Sequence, residues 1–527
     1  MNRTLFLGGA LTMLSSAVIG GEQPRNVLLI VADDFGWNDT AFMGSDYYET
    51  PNLDRLARSG VVFTDGYAAC SVSSPSRASI MTGLFTPRHG VTTWIGDAAG
   101  EEWRKKGRAS KMLPSDYAHF VDHSQPMISE MLKEGGYSTY FIGKWHLGDE
   151  ECDLPDGRGF DLNIGGWGAG SPRGGYFAPY DNPRLESGED GENLTMRLAN
   201  ETVKILENHQ QQSGDKPFFT YLAFYAVHGP IQTTESKWSY FRDKAERMGI
   251  AEEGYVVDRT LPVRQRQDNP IYAGLVQQMD DAVGVVLDRL EQLGLDKNTL
   301  VIFTSDNGGV SSGDAFSTSL LPLRGGKGRQ WEGGIRVPFV VRNPYLDSAG
   351  ESCSTAVCGV DILPTIASFA GLDKRCFKGV DGVDIAPLLS GGEIDERPLF
   401  WHYPHYGNQG GEPSSIIRRG EWKLIYYHED GRNELYNLHI DIGESEPLNA
   451  QYPEIVANMS RELQRWLKSN GAVMPVADPE YNPQAESEAK LKWRTKLLSA
   501  KERERLQLLQ PNYTPNADWW GSQVTRD

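Results

Sequence analysis

The sequence predicts an α/β fold: a large, mainly parallel sheet sandwiched by helices, followed by a smaller C-terminal α+β domain. Three observations lead there. Asn26 to Ala32 reads NVLLIVA, nearly all apolar, as a strand buried on both faces should be. Apolar runs rich in β-branched residues then alternate with helix-spaced runs as far as residue 304, the signature of parallel strands joined by covering helices. After about residue 390 the alternation gives way to short strand-like runs and one helix.

The elements follow in order. Thr50-Pro51 opens a helix, because proline suits a first turn, and Gly60 closes it. Ser73-Ser74-Pro75 announces a second helix beginning just after Ser73, and Thr82-Gly83 stops it. Met127 to Glu134 is helical and ends at Gly135-Gly136; Tyr137 to Ile142 is a strand. Leu194 to Leu206 has helical spacing, and Pro217 gives way to the strand Phe218 to Phe224. A long helix, Ile271 to Leu293, leads to the strand Thr299 to Thr304. Beyond residue 390, Pro398 to His402, Trp422 to Tyr427 and Arg432 to Leu438 read as strands and Pro453 to Asn470 as a helix. This divides the chain into a leader (1–21), an α/β domain (22–390), an α+β domain (391–475) and an extension (476–527). In the extension Ala485 to Leu509 is charged and helical, and Trp519-Trp520 is expected to dock on the body.

Composition narrows the function. With 527 residues the chain can bury a large core, and its net charge of −19 repels nucleic acid and anionic lipid. An anionic substrate needs a local positive pocket. The five cysteines show no Cys-x-x-Cys spacing of the metal-binding kind. Arg3, the apolar Leu5 to Leu14 and the small residues from Ser15 to Gly21 read as a secretory signal, so an exported protein is expected. No later apolar run reaches the ~20 residues of a membrane span.

Chemistry-bearing residues gather where strands end, the edge at which open α/β sheets bind ligands. Asp33-Asp34 follows the first strand, Lys144-Trp145-His146 follows the strand ending at Ile142, and Asp306-Asn307 follows the strand ending at Thr304. Asp33, Asp34, Asp306 and Asn307 offer only oxygen, which suits a hard cation such as Ca²⁺ or Mg²⁺. Lys144, His146, Lys327 and Arg77 are candidates to surround a tetrahedral anion, and Lys327 sits in the glycine-rich run Arg324 to Gly328. His228 is either a satisfied core histidine or a proton donor to a leaving oxygen. Ser73 lies at the positive end of its helix, which favours a developing anion.

These motifs together resemble those of type I sulfatases of the alkaline-phosphatase-like superfamily. The resemblance runs over roughly residues 26 to 450. It rests on Ala32-Asp33-Asp34, Ser73-Ser74-Pro75-Ser76-Arg77 with Thr82-Gly83, Gly143 to His146, His228, Ser305 to Gly308, Gly326-Lys327-Gly328 with Glu332-Gly333-Gly334, and Glu434 to Leu438. The resemblance implies that Ser73 is matured to formylglycine, whose hydrate is the nucleophile. It implies that Asp33, Asp34, Asp306 and Asn307 hold Ca²⁺ with residue 73. Arg77 would hold the hydrate, and Lys144 and Lys327 would bind sulfate. His228 would be the leaving-group acid, and His146 the base that regenerates the aldehyde. A geminal diol can expel sulfate from its own carbon by elimination, whereas a serine sulfate ester leaves slowly. Many relatives carry Cys where this chain has Ser73; a serine there implies a radical-type maturase acting before export, or a replacement made to trap substrate.

The family's substrates include sulfated sugars. The run Trp401 to Gln409 combines aromatic and polar side chains suited to a sugar platform, with His402 and His405 as candidate contacts alongside Arg324, Arg329 and Arg336. A sulfated oligosaccharide from a marine galactan such as carrageenan is the favoured substrate. The rivals are a phosphatase or phosphonate monoester hydrolase on the same scaffold, and an unmatured binder of sulfated glycans.

Overall fold

The computed structural model describes residues 25–514, apart from 214 and 348. The leader and Trp519-Trp520 lie outside the described residues. The main sheet has eight strands. In chain order they are β1 (Asn26–Ala32), β2 (Val61–Phe63), β3 (Ser138–Gly143), β4 (Leu162–Ile164), β5 (Phe218–Ala223), β6 (Thr299–Ser305), β7 (Phe339–Arg342) and β8 (Glu351–Cys353). Across the sheet they run β8-β2-β7-β6-β1-β5-β3-β4. All pairings are parallel except those of β7, which lies antiparallel to both β6 and β2.

β1 sits at the centre, and its side chains alternate between two cores. Leu28, Ile30 and Ala32 face one core, with Leu53 and Leu56 of α1 (Pro51–Arg58), Leu198 of α4 (Leu194–Gln212) and Met279 of α5 (Pro270–Gln292). Val27, Leu29 and Val31 face the other, with Ile80 of α2 (Ser73–Thr82), Leu132 of α3 (Ile128–Glu134) and Ile366 of α6 (Ile362–Phe369). This two-sided burial is why NVLLIVA carries no polar alternation. The register sets the site: Ala32 pairs with Ser305 and Gly143 with Ala223, so the segments after β1, β6 and β3 leave one sheet edge together.

The C-terminal sheet is antiparallel, in the order β9 (Leu399–Tyr403), β10 (Ser414–Arg419), β11 (Trp422–Tyr427) and β12 (Asn433–Asn437). Its cover is α7 (Pro453–Ser469), which buries Met459, Leu463 and Leu467. In this sheet β10 is the strand the sequence reading omits, as it omits β2, β4, β7 and β8 of the main sheet. Its apolar run is only Ile416-Ile417, flanked by serines and arginines whose side chains find polar partners inside the fold. At the seam between the domains, fully buried Lys423 bonds Glu332 at 3.0 Å and Glu444 at 2.8 Å.

The extension is docked. Val476-Ala477 pairs with Met112-Leu113, and α8 (Pro483–Lys492) and α9 (Leu498–Leu508) follow. Arg505, 1% exposed, meets Asp268 at 2.6 Å. Among the described residues, no helix is long and apolar enough to cross a membrane.

Asp280 of α5 holds the start of α1 by accepting from Leu53 N at 2.8 Å, Asn52 N at 3.0 Å and Asn52 Nδ2 at 2.9 Å. Asp280→Ala is expected to cost about 2–3 kcal/mol in denaturant unfolding. Burial pushes the Asp280 carboxyl up to about 6, against the bonds from Leu53 and Asn52. Its contribution to stability therefore falls as pH rises from about 4 to about 6. Asp280→Asn lacks that titration, so the variant gains stability relative to the wild type across this window. Parallel unfolding curves at pH 4 and pH 7 test the sign.

Candidate active site

Ser73 is the first residue of α2, whose N-cap is Val72, so the helix begins one residue earlier than the sequence reading placed it. Pro75 sits in the first turn, and Gly83 closes the helix at φ 68°. Every residue of α2 is buried. The Ser73 hydroxyl lies 3.3 Å from Asp33 Oδ1, 3.2 Å from Asn307 Oδ1 and 3.3 Å from Lys144 Nζ. Residues 33, 73, 144 and 307 thus meet at one point.

The charges around that point are paired. Lys144 Nζ donates to Asp33 Oδ2 at 2.7 Å and Lys327 Nζ to Asp34 Oδ2 at 2.8 Å. Arg77 Nε donates to Asp306 Oδ2 at 2.8 Å, and its Nη1 to the Lys144 carbonyl at 2.9 Å. Asn307 Nδ2 donates to Asp34 Oδ1 at 2.8 Å. Asp33, Asp34 and Asp306 bring carboxylate oxygens within 4.8 Å of one another, and all three are buried. Asp34 and His146 hold left-handed backbone at φ 60° and 58°, an uncommon conformation that concentrates at functional sites.

The electrostatics follow from burial and neighbours. Burial pushes the Asp33 carboxyl well up, against the pull of Lys144. Burial acts the same way on Asp34, but Lys327 and His228 outweigh it and the carboxyl is held low. Asp306 is also low, because Arg77 and Lys144 overcome its burial. Lys144 is lowered by burial against the pull of Asp33, whereas Lys327 is raised by Asp34 in spite of burial. Burial and then Lys144 push His146 well below the ordinary histidine range. Burial and then Lys327 bring His228 down to about 4.

Two buried polar atoms here lack a partner: Arg77 Nη2 and His146 Nδ1. Such orphans are costly unless a guest supplies the missing bond. An all-oxygen donor set with low-lying Asp34 and Asp306 fits a hard divalent cation.

The residues of this floor open into a cavity of about 580 Å³ whose lining includes Ser73, His146, His228 and Lys327. Its rim comes from positions the sequence reading did not single out: Trp94, His119, Asp149, Trp167, Arg173 and Asp314. Arg173 lies over the Trp167 ring at 5.1 Å. These residues sit in irregular loops with no periodicity, so no local signal marks them.

Three expected sugar contacts do not reach the cavity. Arg324 is taken up by Asp258, at 3.0 and 2.8 Å, and lies over Trp331 at 3.9 Å. His402 bonds Ser415 at 2.7 Å and the Val473 carbonyl at 3.0 Å. His405 bonds Thr92 at 2.8 Å. Arg329 and Arg336 are buried on Gln409 and Thr64 carbonyls. From Trp401 to Gln409, only Asn408 and Gln409 line the cavity. Every residue of β9 is buried, His402 included, and so is His405 in the turn after it. His228 lies past the end of β5 rather than on it, with Nδ1 2.7 Å from the Gly229 carbonyl. The glycines around Lys327 serve backbone packing: a Cβ on Gly326 would lie 2.6 Å from the Gly309 carbonyl oxygen.

A family model described as Sulfatase matches residues 25–372. The chain belongs to the sulfatase family. It is a sulfuric ester hydrolase. A second model, N-sulphoglucosamine sulphohydrolase C-terminal, matches residues 327–469. The sulfatase is 32% identical over 412 residues to N-acetylgalactosamine-6-sulfatase of Rattus norvegicus, covering 74% of this chain and 71% of the relative. It is 30% identical to a sulfatase of Formosa agariphila, over 86% of this chain and 90% of the relative. Among solved structures it is similar to Ps i-CgsB in complex with k-i-k-neocarrahexaose, with a TM-score of 0.68 and 26% identity over 92% of this chain and 99% of that one.

In this sulfatase Arg77, 1% exposed, carries the fixed positive charge of the site. Arg77→Ala strips Asp306 of its buried partner and is expected to cost roughly 3–5 kcal/mol of stability. Urea unfolding of the two proteins checks this.

Proposed function

We propose that this enzyme, once exported, removes sulfate from a sulfated galactan oligosaccharide of the carrageenan type, through residue 73 matured to formylglycine. The observation that carries the reading is the convergence of Ser73 Oγ on Asp33, Asn307 and Lys144 within 3.3 Å. The solved relative captured with a carrageenan hexasaccharide supports the substrate class. The signal-like Leu5 to Leu14 supports export.

Asp33, Asp34, Asp306 and Asn307 would hold Ca²⁺. When bound, calcium neutralises crowded carboxylates and polarises a sulfate oxygen. Three carboxylates balance three cations in this cluster. A divalent cation brings two positive charges to this balanced cluster, and the single negative charge of a sulfate ester offsets one of them.

The chain's own groups divide the remaining work. Lys144 and Lys327, paired here with Asp33 and Asp34, would turn their ammonium groups to the sulfate oxygens, where negative charge develops. Arg77 orients the oxygen on residue 73 with its free Nη2. The Gly229 carbonyl fixes Nδ1 of His228 as the donor nitrogen, which leaves Nε2 facing the site to deliver a proton to the leaving oxygen. The bound anion raises His228 from its low resting value and keeps it protonated long enough to act. His146, held neutral by burial and Lys144, is available as a base through its unpartnered Nδ1.

Lys327→Ala and His228→Ala are each expected to lower sulfate release from a carrageenan oligosaccharide by at least about 10²-fold. Far-UV circular dichroism should be unchanged. Retained turnover would remove those roles. Peptide mass spectrometry of the enzyme co-expressed with a maturase should show residue 73 short of two hydrogens; an unconverted serine in an active preparation would overturn the nucleophile. Faster turnover of a phosphate monoester than of any sulfate ester would reassign the substrate.

Calcium at about 100-fold over its Kd is expected to add about 2.7 kcal/mol of stability. A chelator should therefore lower the melting temperature by a few degrees, and magnesium should restore it less well. An unchanged melt would speak against an oxygen-ligand metal site.

A further inference from the structure

The catalytic cavity is not isolated. A second cleft of about 480 Å³ lies beside it, and Asn408 lines both. The same two loops wall the pair. Gly313 and Phe316 face the second cleft while Asp314 faces the first; Tyr406, Gly407 and Gly410 face the second while Gln409 faces the first. Gln409 Nε2 donates to Asp314 Oδ2 at 2.5 Å, which clamps the loops together. The extension supplies part of the lining through Lys490, Trp493 and Arg494.

The lining has a definite chemistry. Trp103 and Tyr406 stack at 5.7 Å and 15°. Arg108 lies over the Trp103 ring at 5.0 Å and donates from Nη2 to Asn408 Oδ1 at 2.7 Å. Two other cations here are neutralised: Arg259 by Glu412 and Glu434, and Lys490 by Glu486. Among the described residues, Arg108 and Arg494 have no carboxylate partner; Arg494 donates only to the Arg259 carbonyl, at 3.0 Å. Trp103 is itself buried, so the aromatic surface the cleft presents is that of half-buried Tyr406 and Trp493. Beside them, in a chain of net charge −19, the two guanidinium groups mark a place for an anion attached to a ring. A sugar presents an apolar ring face to aromatics and hydroxyls or sulfates to polar groups.

We propose that this cleft is a second sugar subsite, which grips a further sulfated residue of the same glycan whose ester is cleaved in the catalytic cavity. The proposal rests on the sulfated-glycan reading above. The shared residue Asn408 and the shared loops let one chain occupy both places. The C-terminal extension is then part of the substrate-binding surface, and chain length governs affinity rather than the chemical step.

The test is calorimetric binding to the full-length, calcium-loaded enzyme. The probes are a carrageenan hexasaccharide and its matching disaccharide, with a chondroitin sulfate pair as a second arm. The wild type is expected to bind one hexasaccharide at least about tenfold tighter than its disaccharide, or about 1.4 kcal/mol. Arg108→Ala/Arg494→Ala should lose that preference and keep its melting temperature. If the double variant fails to fold, Trp493→Ala takes its place with the same expectation. A wild type without length preference, or a variant that keeps it, overturns the subsite. Sulfate release whose kcat/KM is independent of length overturns the subsite alone, whereas absence of both binding and release from either pair sinks the sulfated-glycan reading with it.

Discussion

Three carboxylates share a buried pocket at the edge of the main sheet, and their mutual repulsion has to be met by something of opposite sign. At an effective dielectric of about 20, two like charges about 4 Å apart repel by about 4 kcal/mol. Asp33, Asp34 and Asp306 bring carboxylate oxygens within 4.8 Å of one another, and each is matched by its own buried cation: Lys144, Lys327 and Arg77. The pairing β1 to β6 makes this unavoidable. With Ala32 opposite Ser305, the next residue on each strand is an aspartate, and the two must emerge side by side. The rest of the site is arranged around that crowding.

Two of the three cations are also the groups best placed to meet an anion. Arg77 is locked between the Asp306 carboxylate and the Lys144 carbonyl, so it fixes geometry. The lysines are different: each makes its ion pair with a single flexible ammonium. An ammonium on a four-carbon stem can exchange one oxygen partner for another without disturbing backbone. The site thus combines a rigid guanidinium with two movable charges.

Much of this was legible in the sequence. NVLLIVA has to be a central strand because it lacks any polar alternation, and the motifs at strand ends inherit their positions from that. The floor of the cavity is legible because it is local: each residue lies within a few positions of an element boundary that proline, glycine or an apolar run marks. The rim is not. Trp94, His119, Trp167 and Arg173 sit in loops whose course depends on packing far along the chain, so spacing says nothing of where they point. The run Trp401 to Gln409 misled for a related reason. Its composition suits a sugar platform, but β9 alternates, and His402 falls on the face where Ser415 and the Val473 carbonyl already satisfy both ring nitrogens. β10 escaped because its arginines and serines are paid for inside the fold by partners that no local window contains.

The division between sheet edge and loops has an engineering consequence. Asp33, Lys144 and Asp306 leave the sheet at positions fixed by strand register, where a one-residue slip would turn every side chain to the opposite face. The walls that would meet the proposed sugar are borrowed from loops and from a docked tail, which tolerate exchange. Transplanting those segments between relatives is therefore a route to new sugar preferences that leaves the bond-breaking apparatus untouched.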